Sequence, residues 1–479
     1  MHSFTARMGR RLRDTAAAFC VLMAPDTVFA ADADFDLAFN GSGNDYIVGG
    51  APAETDSTSA LCLQPDGKLV LAGVHTVSLF SHAVRVYRRN ANGGADPGFT
   101  PASVPVTIAS VDAIPYAPTC AVQADGKILF SALHLPKAAN ELVVYRLLAN
   151  GTPDESFGPG GRRAVVYDLV GTPNLEIADV LAQADGRIVL VGTHRVDTLT
   201  GAMVALRLDG NGNIDNTYGT RGQVLVTRFA ELQGGSPRDH AWQAWLMPDG
   251  GLLIGGATAR VQANLPPPFP GSVLRAHIGL AKLTALGTPD LSFGNGGVAD
   301  FDAGPTVNGL QDGALLPDGK IGVIARVASS RQTSRDMGRE LFRFSASGAL
   351  DLGFGQLGKA TLDLTGTLNF GVSALVAQGN ALLAAGMVTA ANGTTDTLVV
   401  RLRADGTRDP AFSTGEFGAG IAVLRTGNNN NERAWAIGVQ VGKPVLAGDI
   451  SIGPNTTMHY LYRLSPTATA LLRDGFESP

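Results

Sequence analysis

One short phrase recurs along the chain and limits its architecture more than any other feature. It reads RRNANGGADPGF (88–99), LANGTPDESFG (148–158), LDGNGNIDNTYG (208–219), LTALGTPDLSFG (283–294), FSASGALDLGFG (344–355) and LRADGTRDPAF (402–412). A basic residue opens each spacing, at Arg88, Arg146, Arg207, Lys282, Arg343 and Arg401. Eight residues later stands an Asp (Asp96, Asp154, Asp215, Asp290, Asp351, Asp409), and eleven later an aromatic (Phe99, Phe157, Tyr218, Phe293, Phe354, Phe412). An active site is seldom written six times over, so the triplet is a structural device. The carboxylate suits a loop, where it accepts backbone N–H bonds and can pair with the basic residue. The aromatic belongs between units, where burial contributes about 1.5–3 kcal/mol.

A second phrase supplies the ruler. LQPDGKLVLAG (63–73), VQADGKILFSA (122–132), AQADGRIVLVG (182–192), LMPDGGLLIGG (246–256) and LLPDGKIGVIA (315–325) put their turn Asp at 66, 125, 185, 249 and 318, a period near sixty. Degenerate copies follow at 376–386 and 439–448. Asp-Gly between apolar runs marks a hairpin, because Gly adopts φ > 0 without steric cost. Each unit thus reads as two hairpin strands, a third strand carrying the basic residue, and a fourth after the aromatic phrase. Four strands per unit of this length describe a β-propeller blade. The last unit runs out after its third strand, MHYLYRL (458–464), with Arg463 in the basic position, and the missing phrase stands at the other end as DLAFNGSG (36–43). The expected fold is therefore all-β: a seven-bladed β-propeller over 32–466 with four-stranded blades, its ring closed by the N-terminal strand completing the C-terminal blade.

These phrases resemble the delta-60 repeat family of bacterial exported proteins, whose units read much like PDGK, DGxxDxSFG and GG here. The resemblance implies a propeller-like fold and no established activity or catalytic residues. The sixth and seventh units depart from it by losing the Asp-Gly turn. The ending LLRDGFESP (471–479) is similar to short tails of other exported bacterial proteins, and 467–479 is set apart as a C-terminal tail.

Composition fits this picture and excludes others. With 45% hydrophobic residues, 60 Gly and 26 Pro, the chain can bury a core of short strands and tight turns. A net charge of −5 with no long basic run leaves no footprint for nucleic acid. Arg7, Arg10, Arg11 and Arg13 precede the apolar run 15–24 and the small residues Val28 and Ala30, so 1–30 reads as a signal peptide. No later segment needs to span a membrane, and a monomer exported to the periplasm, cell surface or exterior is expected. Of the cysteines that remain, Cys62 lies four residues before its turn Asp and Cys120 five, which aims them either at each other or apart.

Function is less legible. Loop length varies only in the connections on one face, which is where binding loops on a rigid scaffold are found. The insertions at 257–277 and 325–340 place Arg260, Arg275, His277, Arg326, Arg331, Arg335 and Arg339 on neighbouring loops, a candidate basic patch for an anionic glycan or an unidentified protein. Trp242 and Trp435 lie near the channel mouth on that face and either stack on a sugar or pack the core. His75, His134 and His194 share a position nine residues after their turn Asp, but adjacent blades are about 10 Å apart and a zinc ion needs nitrogens at about 2.0–2.1 Å. No metal or cofactor is expected, and no GxSxG, HExxH, P-loop or GxGxxG motif is present. The reading is a non-enzymatic binding or structural module. The alternative is a carbohydrate-active hydrolase or lyase with its site at the channel mouth, which requires carboxylates or His with perturbed pKa to converge there.

Overall fold

The computed structural model describes residues 35–465 apart from 48–54, 79–80, 108–117, 132–140, 168–173, 196–200, 230–238, 262–273, 305–306, 328–339, 363, 365–368, 391, 414–417, 426–429 and 454–455. Within these the fold is all-β and propeller-like. No helix among the described residues is long and apolar enough to cross a membrane. The segments 1–30 and 467–479, expected to be a signal peptide and a tail, fall outside the described residues, as do His134, Arg331, Arg335 and Arg339.

Five four-stranded antiparallel sheets follow in chain order, beginning with the strands Cys120–Val122, Asn174–Ala182, His240–Leu246, Val307–Leu315 and Phe370–Gln378. The remaining sheet has eight strands. One half of it is Thr55–Leu63, Leu69–Ser78, Ser81–Arg89 and Ala102–Thr107. The other is Asn431–Gln440, Lys443–Gly453 and Thr456–Arg463, with Asn44–Ile47 on its outer edge. The halves meet through a single parallel pair, Thr55↔Thr457. First strands of successive units touch, from Thr55–Leu63 through Cys120–Val122 and onward to Asn431–Gln440, which touches Thr55–Leu63.

The repeated phrase now has a physical account. Arg146 and Asp154 are both buried, and Arg146 Nε donates to Asp154 Oδ2 at 2.8 Å. The guanidinium lies 4.2 Å over the Phe157 ring, and its Nη1 donates to the Gly210 carbonyl of the next unit. Arg88, Arg207 and Arg343 repeat all three contacts with Asp96, Phe99 and Ala149, with Asp215, Tyr218 and Ala285, and with Asp351, Phe354 and Ala404. Burial pushes the Asp154 carboxyl up, but the Ser156 hydroxyl, Arg146 and the Ser156 N–H together outweigh it and hold it below the usual range. The phrase glycine is the counterpart of the aromatic. A Cβ on Gly212 would sit 2.5 Å from the Phe157 ring of the preceding unit, and its φ is +83°. The units that carry Arg88, Arg146, Arg207 and Arg343 thus clasp the next through a stacked guanidinium, a carbonyl and an aromatic pressed on bare backbone.

The same clasp joins the two chain ends. Arg463 Nε donates to Asp36 Oδ2 at 2.7 Å, its guanidinium lies 4.6 Å over Phe39, and its Nη1 donates to the Ala91 carbonyl of the first unit at 2.8 Å. Phe39 is fully buried, and a Cβ on Gly93 would meet its ring at 2.7 Å. Asn44 pairs with Tyr462 and Ile47 with His459 in antiparallel register.

The two cysteines face each other. Cys62 and Cys120 form a disulfide between the first strands of consecutive units, with Cα atoms 6.1 Å apart.

Candidate functional site at the channel mouth

In most units one extra residue bulges the first strand, for example between Ile177 and Asp179, Ala241 and Gln243, and Leu310 and Asp312. A bulge re-aims the side chains beside it, and here it turns Asp179, Gln243 and Asp312 onto the next unit. Asp179 Oδ2 accepts the Ala244 N–H at 3.1 Å, Gln243 Oε1 the Gly313 N–H at 2.8 Å, and Asp312 Oδ2 the Leu375 N–H at 2.6 Å. Both carboxyls are half-buried but closely surrounded by strands. Burial pushes each up to about 7, with Asp179 adding repulsion at Asp312. Beside this belt a channel cavity of about 540 Å³ is lined by apolar residues such as Val180, Trp245, Leu315 and Val376.

These carboxyls make the stability depend on pH in a definite direction. Their folded pKa lies above the unfolded value, so the contribution is complete below about pH 4 and is lost as pH rises to about 7. The melting temperature of the parent should fall over that window from this source. A variant with both Asp179→Asn and Asp312→Asn, which keeps the acceptor oxygens, should show a visibly flatter melting curve against pH. Equal slopes in the two proteins would refute the assignment.

At the end of the strands away from the Asp-Gly turns, the third and fourth units bring together residues that the sequence pattern does not single out. Glu176 and Arg195 pair at 3.0 Å (Oε1 to Nε), with side-chain exposures of 13% and 36%. His240 opens the fourth unit's first strand. Its Nδ1 lies 2.7 Å from Thr193 Oγ1 and 4.0 Å from Glu176 Oε2. The Thr193 hydroxyl oxygen also accepts the Ala241 N–H at 3.0 Å, which fixes it beneath the imidazole. Trp242, half-buried on the bulge, stands edge-on to His240 with ring centroids 4.3 Å apart. Carboxylate, guanidinium, imidazole and indole thus meet at one mouth. None of the four belongs to the repeat, and the one advance signal is Trp242, which the sequence marks for the channel mouth.

The other described residues that the sequence marks for a ligand face stand on several strands. Trp435 donates from Nε1 to Asp449 Oδ2 at 2.7 Å. Arg260 and Arg275 lie opposite each other on adjacent strands, and Arg326 lies on the strand Ile321–Val327. His277 is turned inward and buried, its Nδ1 3.2 Å from Asp300 Oδ2. Close by, Asp239 is 1% exposed, and burial together with Asp300 pushes it up to about 7. His75 is buried against Asp56 at 2.8 Å, and His194 is buried with its ring 5.9 Å from that of Tyr167. Among the described residues no group of three or more His, Cys, Asp or Glu is placed to hold a metal ion.

The fold and this mouth define the class: an all-β, β-propeller protein with a polar site where two units adjoin. A family model described as a domain of unknown function, DUF5122, beta-propeller, matches residues 123–157 and 381–412. No curated protein matches the chain. Similar solved structures include the polysaccharide lyase Uly1, at 13% identity and TM-score 0.49 over 91% of this chain and 97% of that one. The GH74 xyloglucanase from Xanthomonas campestris is similar at 12% identity and TM-score 0.42, over 87% of this chain and 55% of that one. The Hadza microbial sialidase Hz136 is similar at 12% identity and TM-score 0.38, over 81% and 74%. No residue and no substrate is carried over from them. The expectation of a non-enzymatic module is corrected all the same. The three structures just given are named as a polysaccharide lyase, a xyloglucanase and a sialidase. At the mouth Glu176 Oε2 and His240 Nδ1 lie 4.0 Å apart.

Proposed function

We propose that the chain is a carbohydrate-active enzyme, a hydrolase or a lyase, working at the mouth between the third and fourth units. The observation that carries this is the meeting of Glu176, Arg195, His240 and Trp242, each partly open to solvent, over a channel. The indole offers an apolar face to a sugar ring, the imidazole can move a proton, and the Glu–Arg pair can orient hydroxyl or carboxyl groups. Release of reducing ends from a panel of neutral and acidic polysaccharides tests the reading. Activity should appear on at least one polymer, and Trp242→Ala should lower kcat/KM about tenfold, as expected for losing roughly 1–1.5 kcal/mol of aromatic contact. Inactivity across the panel would refute it.

The same reading takes the units to be delta-60 repeats arranged as seven blades in a closed ring. Its support is the series of contacts between first strands that returns to Thr55–Leu63, and the clasp of Arg463 on Asp36, Phe39 and Ala91. Export by the 1–30 signal, with 467–479 as a tail, completes the proposal. The Cys62–Cys120 bridge supports it, because disulfides persist in oxidising compartments.

A further inference from the structure

Hydrolysis of a glycosidic bond ordinarily uses two carboxyl groups flanking it, about 5–9.5 Å apart. Among the described residues the carboxylates near the mouth are engaged or sealed. Glu176 is partly open and is engaged by Arg195, and Asp302, 42% exposed, lies 3.8 Å from His277 Nε2. Asp239 is sealed at 1% exposure. Asp300 is occupied by Thr258 Oγ1, which donates to it at 2.6 Å, and by His277. Asp179 and Asp312 are committed to backbone N–H groups of the adjacent units, deeper along the strands. What the mouth offers is a guanidinium more than a third exposed and an imidazole held on a buried threonine. That set suits another chemistry.

We infer that the mouth cleaves a polymer of uronic acids by β-elimination, with Arg195 holding the sugar carboxylate and His240 taking the proton from the carbon beside it. This rests on the carbohydrate-active reading above and narrows it to one substrate class and one reaction. The C5–H bond breaks and its proton passes to the imidazole. Its electron pair is delocalised onto the carboxylate, where Arg195 opposes the growing charge. The pair then forms the C4=C5 double bond as the C4–O bond breaks, and the imidazolium returns the proton to the departing oxygen. No water is consumed and nothing is oxidised. Glu176 is a positioning residue here: it fixes Arg195 and lies within 4.0 Å of the His240 ring.

The test uses the full chain on polygalacturonate, alginate and chondroitin, on the carboxyl-reduced form of each, and on a neutral β-glucan. New reducing ends are counted alongside the ultraviolet absorbance of the unsaturated uronate. The expected result is one double bond per new reducing end on a uronate polymer, and none on its carboxyl-reduced form. His240→Asn should cost on the order of 10²–10⁴-fold in kcat, the range for a lost proton-transfer group. Arg195→Lys should act mainly on KM, with unchanged melting temperatures confirming that both variants fold. Reducing ends without absorbance, or cleavage of the neutral glucan alone, would overturn the elimination while leaving a carbohydrate-active enzyme. No cleavage of any polymer would overturn both.

Discussion

A chain beginning after Ile47 is expected to lose its cooperative unfolding transition. The deletion removes Phe39, a fully buried ring whose loss alone is worth about 3–5 kcal/mol. It strands Arg463, whose carboxylate partner is Asp36, and a buried charge without its partner costs a further 3–5 kcal/mol or so. It also bares the outer edge of Thr456–Arg463, where Tyr460, Leu461 and Tyr462 are fully buried. These losses together rival the whole stability of a typical domain, about 5–15 kcal/mol. Equilibrium unfolding in urea followed by tryptophan fluorescence reads the effect directly. The single variant Phe39→Ala, which leaves the strand in place, should shift the midpoint in the same direction by less. A truncated chain that melts like the parent would show that the N-terminal segment is dispensable.

The second large effect is expected at a junction between two units. Arg146→Ala removes a guanidinium that is at once an ion pair with Asp154, a stacking partner of Phe157 and a donor to the Gly210 carbonyl. The cost should be about 3 kcal/mol, because the buried Asp154 loses its nearest charge partner and keeps only Lys127 at 3.9 Å and the Ser156 donors. Removing the carboxylate as well should restore part of it. A double-mutant cycle with Asp154→Ala should therefore give strong coupling. Additive costs would mean that the pair acts as two independent contacts. Gly212→Ala should destabilise by a different route, since the added carbon meets the Phe157 ring and the residue sits at φ +83°.

How far the sequence reaches can be read from these residues. The spacing of Arg146, Asp154 and Phe157 gave away the clasp within a unit, since side chains fixed to a repeated backbone must repeat in sequence. The acceptor in the next unit was invisible because it is a carbonyl, which every residue possesses. The pressing of the aromatic on the neighbouring glycine was also hidden: Gly212 reads as a turn residue, and only the packing shows that its missing side chain matters. Cys62 and Cys120 could be paired only once the register was known, as a spacing of four against five residues allows either direction. The mouth was the least legible part. Glu176, Arg195 and His240 occur once each, on strands from two units, and no period or motif links them. His277 read as a loop cation because it closes a polar insertion, yet it sits on the strand Leu274–Leu283 and turns to Asp300.

The central claim is that head and tail of the chain share one sheet, and amide hydrogen exchange tests it most directly. Peptides spanning Asn44–Ile47 should exchange as slowly as those of Thr456–Arg463, since Asp45 pairs with Leu461 and Tyr46 with Tyr460. Removing the chain from residue 456 onward should release that protection. Fast exchange at Asn44–Ile47 in the intact protein, beside slow exchange in the other strands, would contradict the claim.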